Sequence, residues 1–364
     1  MDLYVFDKHF NLLGIVDKFT TLIWTREYFN IGTLELHVLI DDNTLSLLQK
    51  DNIVVKQNNL EEAMYIDSIY MDRDIGDTMT VRGFSIENFL EDRFVWGTQT
   101  YSGTAEEILR SFVSNNAITP TKINRIMPYL TLGSVYGVTE TSTEVNTGSK
   151  LSELLKELSL KYDIGWRVRF DRDNEKYVLE FYRGLDSSIG QDINQHKIFS
   201  SEYENVFDQR YTDSDSSLKT MVFVAGAGEG TARITTTIGD ELSGFARKEL
   251  YVDARDISEK DSNNNTIPQA TYINLLKERG NLKLKEHETV RTFESGVSVL
   301  SNLAYRVDFD LGDKVTVENK KWGLILNTRI TSVEEIYENG ITTINVNFGS
   351  VIPTLETYLN KAVK

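Results

Sequence analysis

Four histidines, His9, His37, His196 and His287, are the side chains best suited to metal binding or proton transfer. They are scattered, and no two stand at a metal-ligand spacing. Glu288 follows His287, but no second histidine lies four residues on, so all four read as structural or solvent-facing. Gly226-Ala227-Gly228-Glu229-Gly230 follows the apolar run Met221-Val222-Phe223-Val224-Ala225, as a phosphate-cradling loop would. A dinucleotide site needs a helix after the glycines, so that backbone N–H groups and the helix dipole meet the pyrophosphate. The next residues are instead Arg233-Ile234-Thr235-Thr236-Thr237-Ile238, which are β-branched and strand-like, and the glycines read as a hairpin turn. Asp171-Arg172-Asp173-Asn174-Glu175 has the carboxylate density of a calcium loop without its glycine or distal glutamate, and reads as a polar turn between strands.

The chain has no cysteine, which excludes disulfides, thiolate metal sites and cysteine nucleophiles. It contains neither a Gly-x-Ser-x-Gly elbow nor a P-loop. Its 55 acidic residues allow many carboxylate pairs for glycoside hydrolysis, and nothing singles one out. Trp24, Trp96, Trp166 and Trp322 are too dispersed for a sugar-binding row. The sequence therefore nominates no catalytic, cofactor-binding or metal-ligating residue. Against 39 basic residues the acidic ones leave a net charge of −16, spread along the chain, and such a surface repels phosphate backbones.

A chain of 364 residues points to two or three domains. No apolar run approaches the ~18 residues of a membrane helix. The opening Met1-Asp2-Leu3-Tyr4-Val5-Phe6-Asp7 has no basic region ahead of an apolar core and reads as a first strand, not a signal peptide. Residues 1–95 carry short β-branched and aromatic runs separated by Asn, Asp and Gly turns, the pattern of a barrel or sandwich. Three helices then interrupt it. Thr104-Ala105-Glu106-Glu107 is a capping box opening a helix with Ile108, Leu109, Phe112 and Val113 on one face. Ser149 is the expected cap of a second helix carrying Leu151, Leu154, Leu155 and Leu158 and ending by Gly165. Pro268 opens a third helix through Tyr272, Ile273, Leu275 and Leu276. Strand pairs are expected at 165–170 with 177–182, and at 220–225 with 232–238.

From about residue 303 the β pattern returns and repeats the first. Asp313-Lys314-Val315-Thr316-Val317 matches Asp51-Asn52-Ile53-Val54-Val55, residues 325–330 match 64–69, and Ile344-Asn345-Val346-Asn347-Phe348-Gly349 matches Met79-Thr80-Val81-Arg82-Gly83-Phe84. A duplicated β-domain accounts for this, with chance likeness between hairpins as the competing explanation.

Taken in order, these segments resemble the tail-hub proteins of siphophages and prophages, the family that includes the N-terminal part of tail-associated lysins. The resemblance rests on Gly83-Phe84-Ser85-Ile86-Glu87-Asn88-Phe89-Leu90-Glu91-Asp92-Arg93, on the helix-strand unit ending in Gly165-Trp166-Arg167-Val168-Arg169-Phe170, and on residues 222–230. It continues through Arg247-Lys248-Glu249-Leu250-Tyr251-Val252-Asp253-Ala254-Arg255-Asp256-Ile257, Asp310-Leu311-Gly312-Asp313-Lys314-Val315-Thr316-Val317 and residues 322–333. It implies an α+β, mainly β fold of two related β-barrel domains with α/β decorating domains, similar to the hub of contractile phage tails. The expected domains are residues 1–95 for the first barrel, 96–196 with 237–302 for the decoration, and 197–236 with 303–352 for a discontinuous second barrel. Residues 353–364 form a C-terminal tail.

The implied function is that of a structural baseplate hub in a virion tail assembled in the bacterial cytoplasm. A homotrimeric, pseudo-sixfold ring would join the tail tube and distal tail proteins to the tip fibre or lysin, with DNA passing the lumen without specific binding and no membrane insertion. No cofactor is implied. Many relatives continue into a wall-digesting peptidase or lysozyme-like domain, and this sequence stops at Lys364, too soon for one. A tail-associated wall hydrolase would instead require a carboxylate cluster or metal site in a cleft. A wall-carbohydrate-binding tail module would require an exposed aromatic platform.

Overall fold

The computed structural model describes residues 1–73, 76–260, 265–298 and 301–350. The expected tail at 353–364 lies outside the described residues. Along the chain run β1 (Leu3–Phe6), β2 (Leu12–Val16), β3 (Thr21–Glu27), β4 (Thr33–Leu39), α1 (Asp42–Leu47), β5 (Ile53–Lys56), β6 (Asn59–Asp72) and β7 (Thr78–Ser85). Next come β8 (Thr98–Thr104), α2 (Ala105–Val113), β9 (Leu130–Leu132), β10 (Thr141–Thr147), α3 (Leu151–Tyr162), β11 (Gly165–Asp171) and β12 (Lys176–Tyr182). After these are β13 (Ile198–Ser200), β14 (Val206–Ser214), β15 (Met221–Ala225), β16 (Thr235–Ile238), β17 (Glu249–Asp253) and α4 (Gln269–Lys285). The last strands are β18 (Val290–Val297), β19 (Lys314–Asn319), β20 (Leu324–Glu338) and β21 (Ile341–Gly349).

The chain divides into two units. One comprises residues 1–85, 183–215 and 289–364, the other 86–182 and 216–288. In the first unit the described strands form one sheet in the order β14-β18-β21-β20-β3-β4-β7-β6-β5-β1-β2, with β19 and β13 branching from β20. Two stretches of that sheet share one topology. β3-β4-β7-β6-β5 and β14-β18-β21-β20-β19 follow the same spatial order and the same chain order, with every neighbouring pair antiparallel.

The register repeats as well. β6 bulges against β7 between Ile66 and Ser68, and β20 bulges against β21 between Ile330 and Ser332. One extra residue, Asp67 or Thr331, bends each long strand so that its first half serves one neighbour and its second half another. Ile66 bonds back to Asn52 as Ile330 does to Asp313. Ile53 thus stands where Lys314 does and Met64 where Thr328 does, while Met79 stands where Ile344 does. The sequence pairing of strands is the observed one. Its register is correct for β7 and β21, and shifted for the other two, because polar turns of unequal length separate the strands.

The repeat ends at the next strand, since β1 pairs antiparallel with β5 and β13 pairs parallel with β19. Free ends at β14 and β2 leave both arcs open, so the described pairing closes neither into a barrel. Leu22, Trp24, Leu34, Leu36, Val54, Met64, Ile66 and Val81 fill the first arc, inward positions alternating along each strand.

The second unit holds a β8–β10 pair, the sheet β11-β12-β9, the sheet β16-β15-β17, and helices α2, α3 and α4. Thr104 caps α2 in the expected capping box. Lys150, not Ser149, precedes α3 and gives no side-chain cap, and left-handed Asp163 ends that helix before Gly165. Residues 197–236, read from sequence as one piece of the second β-domain, divide. β13 and β14 join the large sheet, while β15 and β16 pack with β17 against α4 through Val222, Val224, Val252, Tyr272 and Leu276. β18 replaces them in the large sheet, and its Arg, Thr, Glu, Ser and Gly residues concealed it from pattern reading.

Candidate functional site

The glycine loop is spent on its own fold. β15 and β16 pair antiparallel across it. Gly226 N–H donates to Ile234 O at 2.8 Å, and Ala227 N–H donates to the Tyr272 hydroxyl at 2.7 Å. The N–H groups of Gly226 and Ala227 are therefore already paired, and Arg233 Nε donates to Gly226 O at 2.8 Å. Residues 171–175 form the β11–β12 turn, where Asn174 N–H donates to Asp171 Oδ1 at 3.2 Å. His37 pairs with Glu35 at 2.8 Å, His196 with Gln191 O at 2.7 Å, and His287 with Lys283 O at 2.9 Å. His9 sits in the β1–β2 turn, its N–H donating to Asp7 Oδ1 at 2.8 Å. Among the described residues no group of three or more His, Asp or Glu side chains is placed to hold a metal.

The dominant polar feature is elsewhere, where the two arcs meet. β20 pairs antiparallel with β3, with Val333 opposite Arg26, Glu335 opposite Trp24 and Ile336 opposite Ile23. Residues two apart on a strand share a face, so Trp24 and Arg26 project on one side of β3, and Val333, Glu335 and Tyr337 on one side of β20. Lys56 ends the apolar strand β5 and is fully buried. Its ammonium lies 4.6 Å above the Trp24 ring and pairs with Glu335 Oε2. Tyr337 donates to the same Glu335 oxygen at 2.6 Å. Arg306 and Tyr305, from the loop before β19, donate to Glu335 Oε1 at 2.7 and 3.0 Å.

Glu62, on β6, accepts from both guanidinium groups, Arg306 at 2.7 Å and Arg26 at 2.8 Å. Arg26 also reaches Asp310 at 2.6 Å. Five elements thus contribute to one cluster, and each buried charge in it has an opposite charge at hydrogen-bond distance. Such pairing is the condition for burying charge at tolerable cost.

Protonation is set by this geometry. Burial pushes the Glu335 carboxyl up, but Lys56, Arg306 and their hydrogen bonds more than offset it and hold it down at about 2. Glu62 is likewise held below the usual carboxylate range, its desolvation offset by Arg26, Arg306 and Lys56. Burial pushes the Tyr305 phenol up. A general acid needs a carboxyl raised toward neutrality, and these two are lowered. The arrangement can hold β3, β5, β6 and β20 in one register, and neither Glu62 nor Glu335 is a poised proton donor. Asp313, whose carboxyl burial does push up, receives N–H groups from Leu185 at 2.8 Å and Asp310 at 3.2 Å and fixes those loops.

No residue of this cluster stood out in the sequence. The available signals were a lone lysine closing Ile53-Val54-Val55 and a glutamate at an inward position between Val333 and Tyr337.

Three solved structures share this fold across nearly the whole chain. Prophage tail protein gp18 from Listeria monocytogenes EGD-e aligns at a TM-score of 0.56 and 14% identity, over 100% of this chain and 98% of that one. The tail protein from Neisseria meningitidis MC58 gives 0.57 and 11%, covering 96% of each chain. The 43 kDa tail protein of prophage MuSo2 from Shewanella oneidensis gives 0.55 and 13%, covering 96% of this chain and 98% of that one. No curated protein sequence matches. A family model matches residues 2–350, and the chain belongs to the Siphovirus ReqiPepy6 Gp37-like proteins, a siphovirus tail-protein family.

Proposed function

We propose that this protein is the structural hub of a phage or prophage tail tip, a homotrimeric ring that joins the tail tube to the tip. The observation that carries the reading is the repeated five-strand order with its repeated bulge inside one chain. Three chains with two related β-domains each present six similar units, and a threefold tip can then meet a sixfold tube. The repeat supports assigning residues 1–85 to one hub domain and β13, β14 and β18 to β21 to the other. The unit of residues 86–182 and 216–288 is then the decoration. The three aligned structures are tail proteins, which agrees with a place in the virion tail.

The role is structural and not catalytic. Glu62 and Glu335 of the ionic cluster are held ionised by lysine and arginine, and the cluster fixes strand register. Tail-tube and distal tail proteins on one side and a tip fibre or lysin on the other are the partners this role requires. A net charge of −16 suits a lumen that DNA passes without sticking.

Averaged top views of the purified protein by electron microscopy test the reading. Threefold rings with six similar lobes around a hole are expected. Rings of another symmetry would overturn it. A loss of turbidity when the protein is added to Gram-positive cell walls would replace it with a wall hydrolase.

A further inference from the structure

The internal β20–β3 pairing has an unfilled counterpart on the same unit. In the strand equivalence, β6 corresponds to β20 and β14 corresponds to β3. From Ser332 on, β20 is flanked by β21 on one side and β3 on the other. From Ser68 on, β6 is flanked by β7, and among the described residues no strand lies on its other side. β14 is flanked by β18 and ends the sheet. Burial reports the same difference. Glu335 is 1% exposed inside the filled seam, whereas Met71, which occupies the matching position on β6, is 56% exposed and its neighbour Tyr70 57%. An exposed edge strand with large apolar side chains invites another strand.

We propose that β6 of one protomer pairs antiparallel with β14 of the next, repeating between chains the seam that β20 and β3 make within one. The proposal rests on the ring reading and specifies its contact. Carrying the internal register across sets Met71 opposite Tyr211, Tyr70 opposite Thr212, Ile69 opposite Asp213 and Asp72 opposite Arg210. The last pair brings opposite charges together. The two edges differ in sequence, so the contact is head-to-tail, and six β-domains close a ring through three internal and three external seams.

The seams also differ in chemistry. Lys56, Glu62 and Glu335 of the internal ionic cluster have Val317, Leu326 and Met71 as their counterparts. At these three positions the contact within the chain is charged and the one between chains is apolar, so a protomer awaiting its neighbour buries no unpaired ion there.

The absence of native cysteine makes cross-linking direct. Two double variants are made, Met71→Cys with Tyr211→Cys and Tyr70→Cys with Thr212→Cys, because antiparallel partners alternate between closer and wider pairs. Thr25→Cys with Glu334→Cys, across the internal seam, is the positive control and should close within one chain. After mild oxidation at least one intermolecular pair should give covalent trimers on non-reducing gels, while Met71→Cys alone gives none. Sedimentation of the unmodified protein is run in parallel. Trimers that link through neither pair overturn this seam and leave the ring standing. A protein that is monomeric at every soluble concentration and never links overturns both. Covalent dimers from Met71→Cys alone would place two β6 edges face to face and overturn the head-to-tail contact.

Discussion

Lys56 and Glu335 form a buried ion pair between positions 279 residues apart, across the line where the two strand arcs meet. Both side chains are almost wholly removed from water. In such a place attraction between the charges roughly offsets the cost of stripping their water, so what the pair secures is alignment more than stability. Removing one partner is another matter, because the other then stays buried and uncompensated.

Glu335→Gln should accordingly lower unfolding free energy by about 3–5 kcal/mol. Lys56→Met combined with Glu335→Met should recover a large part of that loss. Denaturant unfolding of Lys56→Met, Glu335→Met and the double closes the cycle, and strictly additive losses would show that the two residues do not act as a pair.

Acid should weaken the same seam. The Glu335 carboxyl is held at about 2, against an ordinary value of 4.5. Its ionised form therefore contributes fully above about pH 4.5, and that contribution fades as pH falls towards about 2, a span of roughly 3 kcal/mol. The stability difference between wild type and Glu335→Gln should shrink from pH 5 to pH 2.5. A difference that stayed constant over that range would contradict an ionised Glu335.

In the second unit, Glu106 is 1% exposed and accepts from Tyr136 N–H at 2.9 Å and Gly137 N–H at 2.8 Å. Glu106→Ala leaves those donors without an acceptor and should cost about 1–3 kcal/mol. Hydrogen exchange at Tyr136 and Gly137 should accelerate, while the β11–β12 amides stay protected.

Gly83 lies opposite the bulge of β6, where a Cβ would overlap the Tyr65 carbonyl oxygen. Since the obstacle is backbone, Gly83→Ala should destabilise by more than about 2 kcal/mol, read as a drop in melting temperature. A neutral result would mean that the bulge can relax.

Thr104→Ala should cost about 1 kcal/mol, the usual value of an N-cap. Here the sequence was sufficient, because Thr104 and Glu107 announce the cap through chemistry local to one turn. β1 to β7 were legible for a similar reason, each carrying a short apolar run between turn residues. The duplication was legible in β5 to β7 and β19 to β21, where apolar side chains recur. It was invisible in β14 and β18, whose faces carry Asp, Arg, Thr and Ser. The ionic cluster could not be read at all. Lys56, Glu62 and Glu335 look like ordinary surface charges until the β20–β3 register brings them together, and no local pattern encodes a pairing of that range.

That range also governs how the protein reaches its fold. Thr21 and Glu338 are partners at the far ends of the seam, 317 residues apart. At roughly 5–20 residues per second of synthesis, β3 emerges tens of seconds before the strand that will cover its edge. During that interval the first arc can form its own hairpins, but its edge stays open to any strand of similar pattern, including β6 of another copy, the counterpart of β20. Contacts this distant are the slowest to form. Bulges at Asp67 and Thr331 set the bend at which each long strand accepts a neighbour, so an early partner in the wrong place meets an edge of the wrong curvature. Production of this chain should therefore be limited by late closure of the large sheet, and slower translation or lower temperature should raise the soluble yield.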